Sequence, residues 1–334
     1  MTALDQGESQ TALKVDIAII GAGPTGIYAA YCSGFRGMSS ALIDALPEAG
    51  GQVAAMYPEK PIYDVAGFPA VKGRDFVAGL LEQANRYDVS YVLGSPAQRL
   101  ERLADGGFLV ETGSGAVIQA RSVVLSAGIG SFTPRPLPAG REHEGRGLVY
   151  FVPMLADMTD RDIIIVGGGD SAFDWALSLE DIARSVTLVH RRAAFKAHAG
   201  TVKAVLSSSV RVMTDFQVTG VHGDDWVDSV TLTQVITREA VELECQGVVA
   251  ALGFTANLGP LQGWGVEVVD RHIPVDTRMS TNVPGVFAAG DITEYAGKVR
   301  IMSVGFGEAA TAVNNAATVL DPDATVFPGH STEV

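Results

Sequence analysis

Hydrophobic residues fall in short, punctuated runs rather than in long periodic stretches. The first, Val15-Asp16-Ile17-Ala18-Ile19-Ile20, is β-branched and nearly continuous, as a strand buried on both faces requires. It runs directly into Gly21-Ala22-Gly23-Pro24-Thr25-Gly26, and the segment from Ile27 to Gly37, rich in Ala and Tyr, predicts a helix. Ser40-Ala41-Leu42-Ile43 is apolar again and stops at Asp44. The order is strand, glycine turn, helix, strand within about 30 residues, the context that gives a glycine pattern its meaning. A second copy starts at Asp162: Ile163-Ile164-Ile165-Val166, then Gly167-Gly168-Gly169-Asp170-Ser171-Ala172, a helix to about Leu179, and the strand Ser185-Val186-Thr187-Leu188-Val189 ending at His190. The spacing repeats as well, since Asp44 lies 18 positions after Gly26 and His190 lies 18 after Ala172.

Each unit is followed by alternating apolar and polar positions around a turn. Phe108 to Glu111 and Val117 to Gln119 flank Gly113-Ser114-Gly115; Ser229 to Thr237 and Val241 to Cys245 flank Arg238-Glu239-Ala240. Both pairs lead to an apolar strand closed by glycine, Val123 to Gly128 and Val248 to Gly253. A further strand, Gly285 to Ala289, closes on Gly290-Asp291 and precedes a helix-like run from about Gly305 to Val319. The pattern predicts an α/β protein of two Rossmann-like three-layer dinucleotide-binding domains, the second inserted into the first. The expected boundaries are a flexible tail over 1–13, a first domain over 14–132 and 256–334, and an inserted domain over 133–255.

Composition narrows the function. A chain of 334 residues suits roughly two domains. Its 38 glycines, about 11% of the chain, exceed the usual ~7% and point to ligand loops. Twenty-four basic against 38 acidic residues give a net charge of −14, which disfavours wrapping nucleic acid. Cys32 and Cys245 stand 213 positions apart, so neither a Cys-x-x-Cys pair nor a disulfide framework can be read. The six histidines show no metal-ligand spacing, and no metal is expected. The polar start lacks a secretory signal and no apolar run reaches the ~18 residues that span a bilayer, so a cytoplasmic location is expected, without a membrane.

In such a unit the first glycine permits a tight turn, the second lets backbone approach a pyrophosphate, and the third lets helix pack on strand, with the pyrophosphate on the helix N-terminus. Gly21, Gly23 and Gly26 fill these places in the first copy; Gly167 and Gly169 do so in the second, where Asp170 and Ser171 open the helix. Asp44 can accept bonds from ribose hydroxyls and would repel a 2′-phosphate, which suits FAD or NAD. At the matching edge the second copy offers His190-Arg191-Arg192 and Lys196, a charge cluster suited to the 2′-phosphate of NADPH. A bland alternative stands beside each reading: a structural glycine turn, a solvated basic face, a capped turn at Gly290-Asp291. Duplication favours two ligands. One FAD and one NADPH on a chain imply hydride transfer from NADPH to flavin and electrons passed onward. Asp291 would then hold a flavin side-chain hydroxyl, and the last helix would aim its dipole at the flavin ring.

Gly50-Gly51-Gln52, Tyr57-Pro58-Glu59-Lys60, Ile62 to Pro69, His190-Arg191-Arg192 and Pro328-Gly329-His330-Ser331 together resemble the ferredoxin-NADP reductases of the thioredoxin-reductase-like type, over nearly the whole chain. That resemblance implies FAD contacts at Thr25, Asp44, Gln52, Tyr57, Ala97, Phe132, Asp291 and Thr332. It also implies Tyr57 on one flavin face and His330, from the other subunit of a homodimer, near the opposite one. In that family the basic motif continues to an Arg where this chain has Lys196, which keeps the charge but lacks the planar fork. Thioredoxin reductases carry a redox Cys-x-x-Cys just before the second glycine motif, whereas Val149 to Arg161 contains no cysteine here. Electrons are then expected to pass one at a time from flavin to ferredoxin or flavodoxin, with no general acid or base.

Two other functions remain open on the sequence: a cysteine-free relative reducing a small disulfide or a quinone, and a redox-sensing module that binds both nucleotides without turnover. Ser171 lacks the closing glycine of a nucleophile elbow, which disfavours a hydrolase. An acidic chain that docks acidic ferredoxin needs a local basic patch, for which Arg135, Arg141, Arg146, Arg191, Arg192 and Lys203 are candidates.

Overall fold

The computed structural model describes residues 12–330 and 332. The expected tail lies outside the described residues up to position 11, and the first strand already takes in Leu13. Among the described residues, 12–54, 61–131 and 256–330 form one compact unit and 55–60 with 132–255 form another. The segment 55–60 is held in the second unit by Lys60, whose Nζ lies 2.9 Å from Asp174 Oδ2 and 4.9 Å from the Trp175 ring centre.

The first unit starts with β1 (Leu13–Ile20), α1 (Pro24–Phe35) and β2 (Ser40–Ile43), so the helix opens at the proline inside the glycine motif, where a missing N–H costs nothing. Then come α2 (Gly51–Met56), α3 (Gly73–Ala84), β3 (Val89–Val92), β4 (Ala97–Arg102), β5 (Phe108–Thr112) and β6 (Val117–Leu125). The second unit supplies β7 (Asp162–Val166), α4 (Asp170–Glu180), β8 (Ser185–His190), α5 (Ala199–Leu206), β9 (Arg211–Thr214) and β10 (Gly247–Ala250). The chain returns to the first unit for β11 (Val286–Ala288) and α6 (Met302–Leu320).

The first sheet has the order β3-β2-β1-β6-β5-β4, with β11 also on β6. β1, β2, β3, β6 and β11 are mutually parallel where they pair, while β5 and β4 run antiparallel. One expectation needs correction here. Val117–Gln119 and Val123–Leu125, read as separate strands, are one strand, because β1 runs beside all of β6 while β5 occupies the first half of its other edge and β11 the second. In the second unit the two roles are split. Leu148–Val149, β10, β7, β8 and β9 form an all-parallel sheet, and Phe216–His222, Ser229–Gln234 and Ala240–Glu244 form a separate antiparallel one.

Strands buried on both faces explain the continuous apolar runs. Ala18, Ile20, Ile43, Val123 and Leu125 pack into a cluster with Leu258, Leu261, Val266, Ile273 and Ile292. Ile17, Ile19, Leu42 and Val124, which alternate with them, are also fully buried. Each such side chain is worth about 1.5–3 kcal/mol. α1, α3 and α6 meet through Tyr28, Phe76 and Phe306, with ring centres 5.2 Å and 6.1 Å apart. In the second unit Phe173, Trp175 and Leu179 bury the inner face of α4 against Ile163, Ile165 and Leu188. Both glycine turns thus emerge at the carboxyl ends of central parallel strands, where open α/β sheets bind ligands.

Candidate dinucleotide sites

In the first unit Gly21 has φ +112°, and a Cβ there would stand 2.4 Å from the Ser126 carbonyl oxygen. A Cβ on Gly26 would stand 1.8 Å from the Gly21 oxygen, so only glycine lets α1 sit this close to its own turn. Gly23 differs. Its backbone is extended and nothing lies within 4 Å of the position a Cβ would take. As N-cap of α1 it provides no side-chain cap, and the first turn carries no acidic residue. The helix therefore presents uncapped amides to open space, the cradle a pyrophosphate fills.

Asp44 sits just past β2, where Oδ2 accepts from the Ala22 N–H at 2.6 Å and Oδ1 from the Leu46 N–H at 2.8 Å. Burial pushes its pKa above the ordinary aspartate value, against the pull of these amides. The Ala45 amide also bonds this carboxylate, which leaves one lone-pair direction for a ribose hydroxyl. On α1, Thr25 lies against the returning part of the unit: a Cβ on Gly290 would be 3.0 Å from Thr25 Oγ1, and one on Gly305 2.6 Å. The fold thus brings Gly290, the neighbour of Asp291, and the first turn of α6 to the start of α1. Gln52, on α2, points its amide toward Gly128. Ala97, buried, opens β4. Tyr57 is half-buried in the 55–60 segment. His330 is exposed with its ring 5.1 Å from Phe327, and Thr332 is exposed. The side chain of Phe132, and Ser331, lie outside what the structure describes.

The second unit repeats the cradle. A Cβ on Gly167 would be 2.5 Å from the Ala251 oxygen, whereas Gly169, the N-cap of α4, has open space and again no side-chain cap. Ser171, Arg191, Arg192 and Lys196 are exposed. Two residues take up places the sequence did not disclose. The His190 ring fills the space where a Gly168 side chain would be, 2.2 Å from its ideal Cβ, and its centre lies 5.6 Å from that of Phe195. Burial, with the Arg191 and Arg192 charges beside it, holds its pKa below the ordinary value, so the cationic character of this edge comes from Arg191, Arg192 and Lys196. Asp170 accepts from the His198 N–H at 2.8 Å and the Lys196 N–H donates to the Gly168 oxygen at 2.7 Å. Both bonds fix the basic loop to the glycine turn. Gly168 as a packing glycine and Asp170 as a loop anchor become visible only through contacts distant in sequence.

The sequence reading also passed over Glu308, 4% exposed in α6, and Lys298, whose side chain is 1% exposed. The signal was there: Glu308 is the one charge in the nineteen residues of α6. Both cysteines are buried, Cys32 in α1 and Cys245 beside the antiparallel sheet, and burial pushes each thiol up to about 12. Among the described residues no cluster of His, Cys, Asp and Glu could hold a metal, and no helix is long and apolar enough to cross a membrane.

Two glycine turns of this geometry, each at the end of a central parallel strand, define a two-nucleotide α/β reductase fold, and the family of pyridine nucleotide-disulphide oxidoreductases matches residues 15–316. The chain belongs to that family. Within it the sequence stands with the ferredoxin–NADP reductases of the thioredoxin-reductase-like type: it is 58% identical over 315 residues to ferredoxin–NADP reductase of Frankia casuarinae (94% of this chain, 98% of that protein). It is 59% identical over 313 residues to ferredoxin–NADP reductase of Frankia alni, covering 94% and 97%. Among solved structures, T. acidophilum thioredoxin reductase superposes with a TM-score of 0.74 at 25% identity, covering 92% of this chain and 99% of that one.

Proposed function

We propose that this chain is an FAD-dependent ferredoxin–NADP reductase, taking electrons from NADPH through flavin to ferredoxin or flavodoxin, and working as a cytoplasmic homodimer. The observation that carries the reading is the contrast at the edges of two glycine-turn cradles: a carboxylate, Asp44, closes one, and Arg191, Arg192 and Lys196 close the other. The first suits a ribose with free hydroxyls and the second a 2′-phosphate. Relatives named ferredoxin–NADP reductase at 55–59% identity support the acceptor.

Bound FAD supplies the chemistry of accepting a hydride and releasing single electrons. The chain's own residues bind and orient. Gly21, Gly23 and Gly26 bring the α1 amides to the FAD pyrophosphate, Asp44 accepts from the ribose, and Thr25, Gln52, Ala97 and Asp291 surround the remainder. Tyr57 covers one flavin face, and His330 of a second copy, with Thr332, the other. Phe132 completes the expected set. Gly167, Gly169 and Ser171 form the NADPH cradle, with Asp170 and His190 holding its basic loop. Neither thiol relays electrons, because a buried Cys held at about 12 carries almost no thiolate at neutral pH. That favours a protein acceptor over reduction of a disulfide by an internal dithiol.

The experiment is NADPH-driven cytochrome c reduction by the purified yellow protein with and without ferredoxin. Strong stimulation by ferredoxin is expected. Equal rates with and without it would overturn the acceptor, and bound flavin that NADPH does not bleach would overturn the enzyme reading altogether.

A further inference from the structure

Beneath Gly290-Asp291 lies a charged network that the binding geometry described above does not use. Glu308 Oε1 accepts from Lys298 Nζ at 2.5 Å and from the Tyr295 hydroxyl at 2.6 Å. Its Oε2 accepts from the Gly290 N–H at 2.7 Å and lies 3.3 Å from Thr293 Oγ1. The Gly290 carbonyl oxygen accepts in turn from Lys298 Nζ at 3.0 Å and from Thr293 Oγ1 at 2.8 Å. Both polar groups of Gly290 are therefore gripped from one side by a buried ion pair. From the other side Thr25 closes over it, and Gly290 holds φ +84° with Thr25 Oγ1 only 3.0 Å from where a Cβ would stand.

A buried ion pair is weak evidence for stability. Removing two charges from water is costly, and a well-packed apolar pair of similar volume commonly does as well. What this pair provides is geometry. Three donors, Lys298 Nζ, the Tyr295 hydroxyl and the Gly290 N–H, converge on one carboxylate, and that carboxylate sits in the second turn of the helix whose first residues pack on Thr25. Through it the last strand, the turn carrying Asp291, and the start of α6 become one rigid piece.

Resting on the reading of the first unit as the FAD site, we propose that Glu308, together with Lys298 and Tyr295, is a positioning residue for FAD. The network fixes Asp291 and the amino end of α6 against the flavin, and so sets both how tightly FAD is held and the potential at which it is reduced. It acts through Gly290 and touches no reacting atom. The two charges cancel when both are present, so losing either one leaves the opposite charge close to Asp291 and to the flavin. Negative charge there disfavours the anionic reduced flavin, and positive charge favours it.

The test uses the full-length protein stripped of FAD and reconstituted, with Glu308→Gln, Lys298→Met, the double variant and the milder Tyr295→Phe, which removes a single donor. FAD dissociation constants, the visible flavin spectrum and the reduction potential are read together with circular dichroism of the FAD-free protein. Expected are a loss of FAD affinity of at least tenfold in each charge variant, a smaller loss in Tyr295→Phe, and a double variant no worse than the poorer single. The potential should move up in Glu308→Gln and down in Lys298→Met. If either charge variant fails to fold, Tyr295→Phe decides alone: a potential shifted down with lower affinity supports the network, and wild-type values for both overturn it. Folded charge variants that bind FAD within twofold of wild type, or that shift the potential in the same direction, also overturn it while leaving the FAD site standing. A wild-type chain that takes up no FAD sinks the site reading and this inference with it.

Discussion

Asp44 offers four lone-pair directions, of which the Ala22, Ala45 and Leu46 amides take three. Its raised pKa means that the folded, FAD-free protein keeps the proton to higher pH than an unfolded chain does. The side chain's contribution to stability is therefore largest in acid and declines as pH rises from the unfolded value through the raised one. With FAD ribose placed as proposed, its hydroxyls would donate to the ionised form, so FAD affinity should climb with pH over the same window. Asp44→Asn should weaken FAD by about 10- to 100-fold, matching about 1.5–3 kcal/mol for bonds to a charged acceptor, and flatten the pH dependence. Fluorescence titration carried upward in pH from the ordinary aspartate range reads both. At the other site, Arg191→Ala with Arg192→Ala should raise the KM for NADPH by a similar factor and leave the KM for NADH nearly unchanged, because the two cofactors differ only at the 2′-phosphate. Steady-state kinetics with both nucleotides would show whether these guanidiniums do the discriminating.

The glycines of one element separate packing from binding. Gly26→Ala drives a methyl into the Gly21 carbonyl and should cost about 3 kcal/mol, lowering the melting temperature of the FAD-free protein. Gly23→Ala has an ordinary extended backbone and open space, so that melting temperature should hold while FAD affinity falls. Gly169→Ala should behave like Gly23→Ala, with NADPH as the ligand lost. Differential scanning calorimetry of the FAD-free protein, paired with nucleotide titration, distinguishes the two kinds of glycine. At this scale the chain was largely readable. Turn, helix and strand follow one another within a few residues, and glycine, proline and β-branched runs mark them locally. Where the reading slipped, a partner far along the chain was responsible. β6 is continuous because β5 and β11 share its outer edge, and α6 begins at Met302 rather than near Gly305 because its first turn packs on α1.

For the molecule as a whole, the electron path ends outside the chain. With both thiols buried, Cys32→Ala with Cys245→Ala should cost about 1 kcal/mol of stability per site through small cavities and leave ferredoxin-dependent turnover intact. A loss of turnover in a folded double variant would restore an internal thiol to the mechanism. The acidic net charge of −14 still has to admit an acidic partner, and the six basic candidates, Arg135, Arg141, Arg146, Arg191, Arg192 and Lys203, are all exposed in the second unit. Reversing Arg135 and Arg141 should slow ferredoxin reduction, most at low ionic strength, while flavin reduction by NADPH proceeds as before. Stopped-flow measurement of the two half-reactions would test this.

The amino-acid sequence alone determined the two cradles and the opposite chemistry at their edges, because each is written within a few dozen consecutive residues and needs only a strand, a turn and a helix to form. It left undetermined which distant groups close around them. Thr25 against Gly290 and Gly305, Glu308 beneath the same turn, and His190 under Gly168 depend on which elements the packed core brings together. A lone glutamate in an apolar helix signals that a partner exists; only the folded sheet and its helices decide that the partner is the Gly290-Asp291 turn.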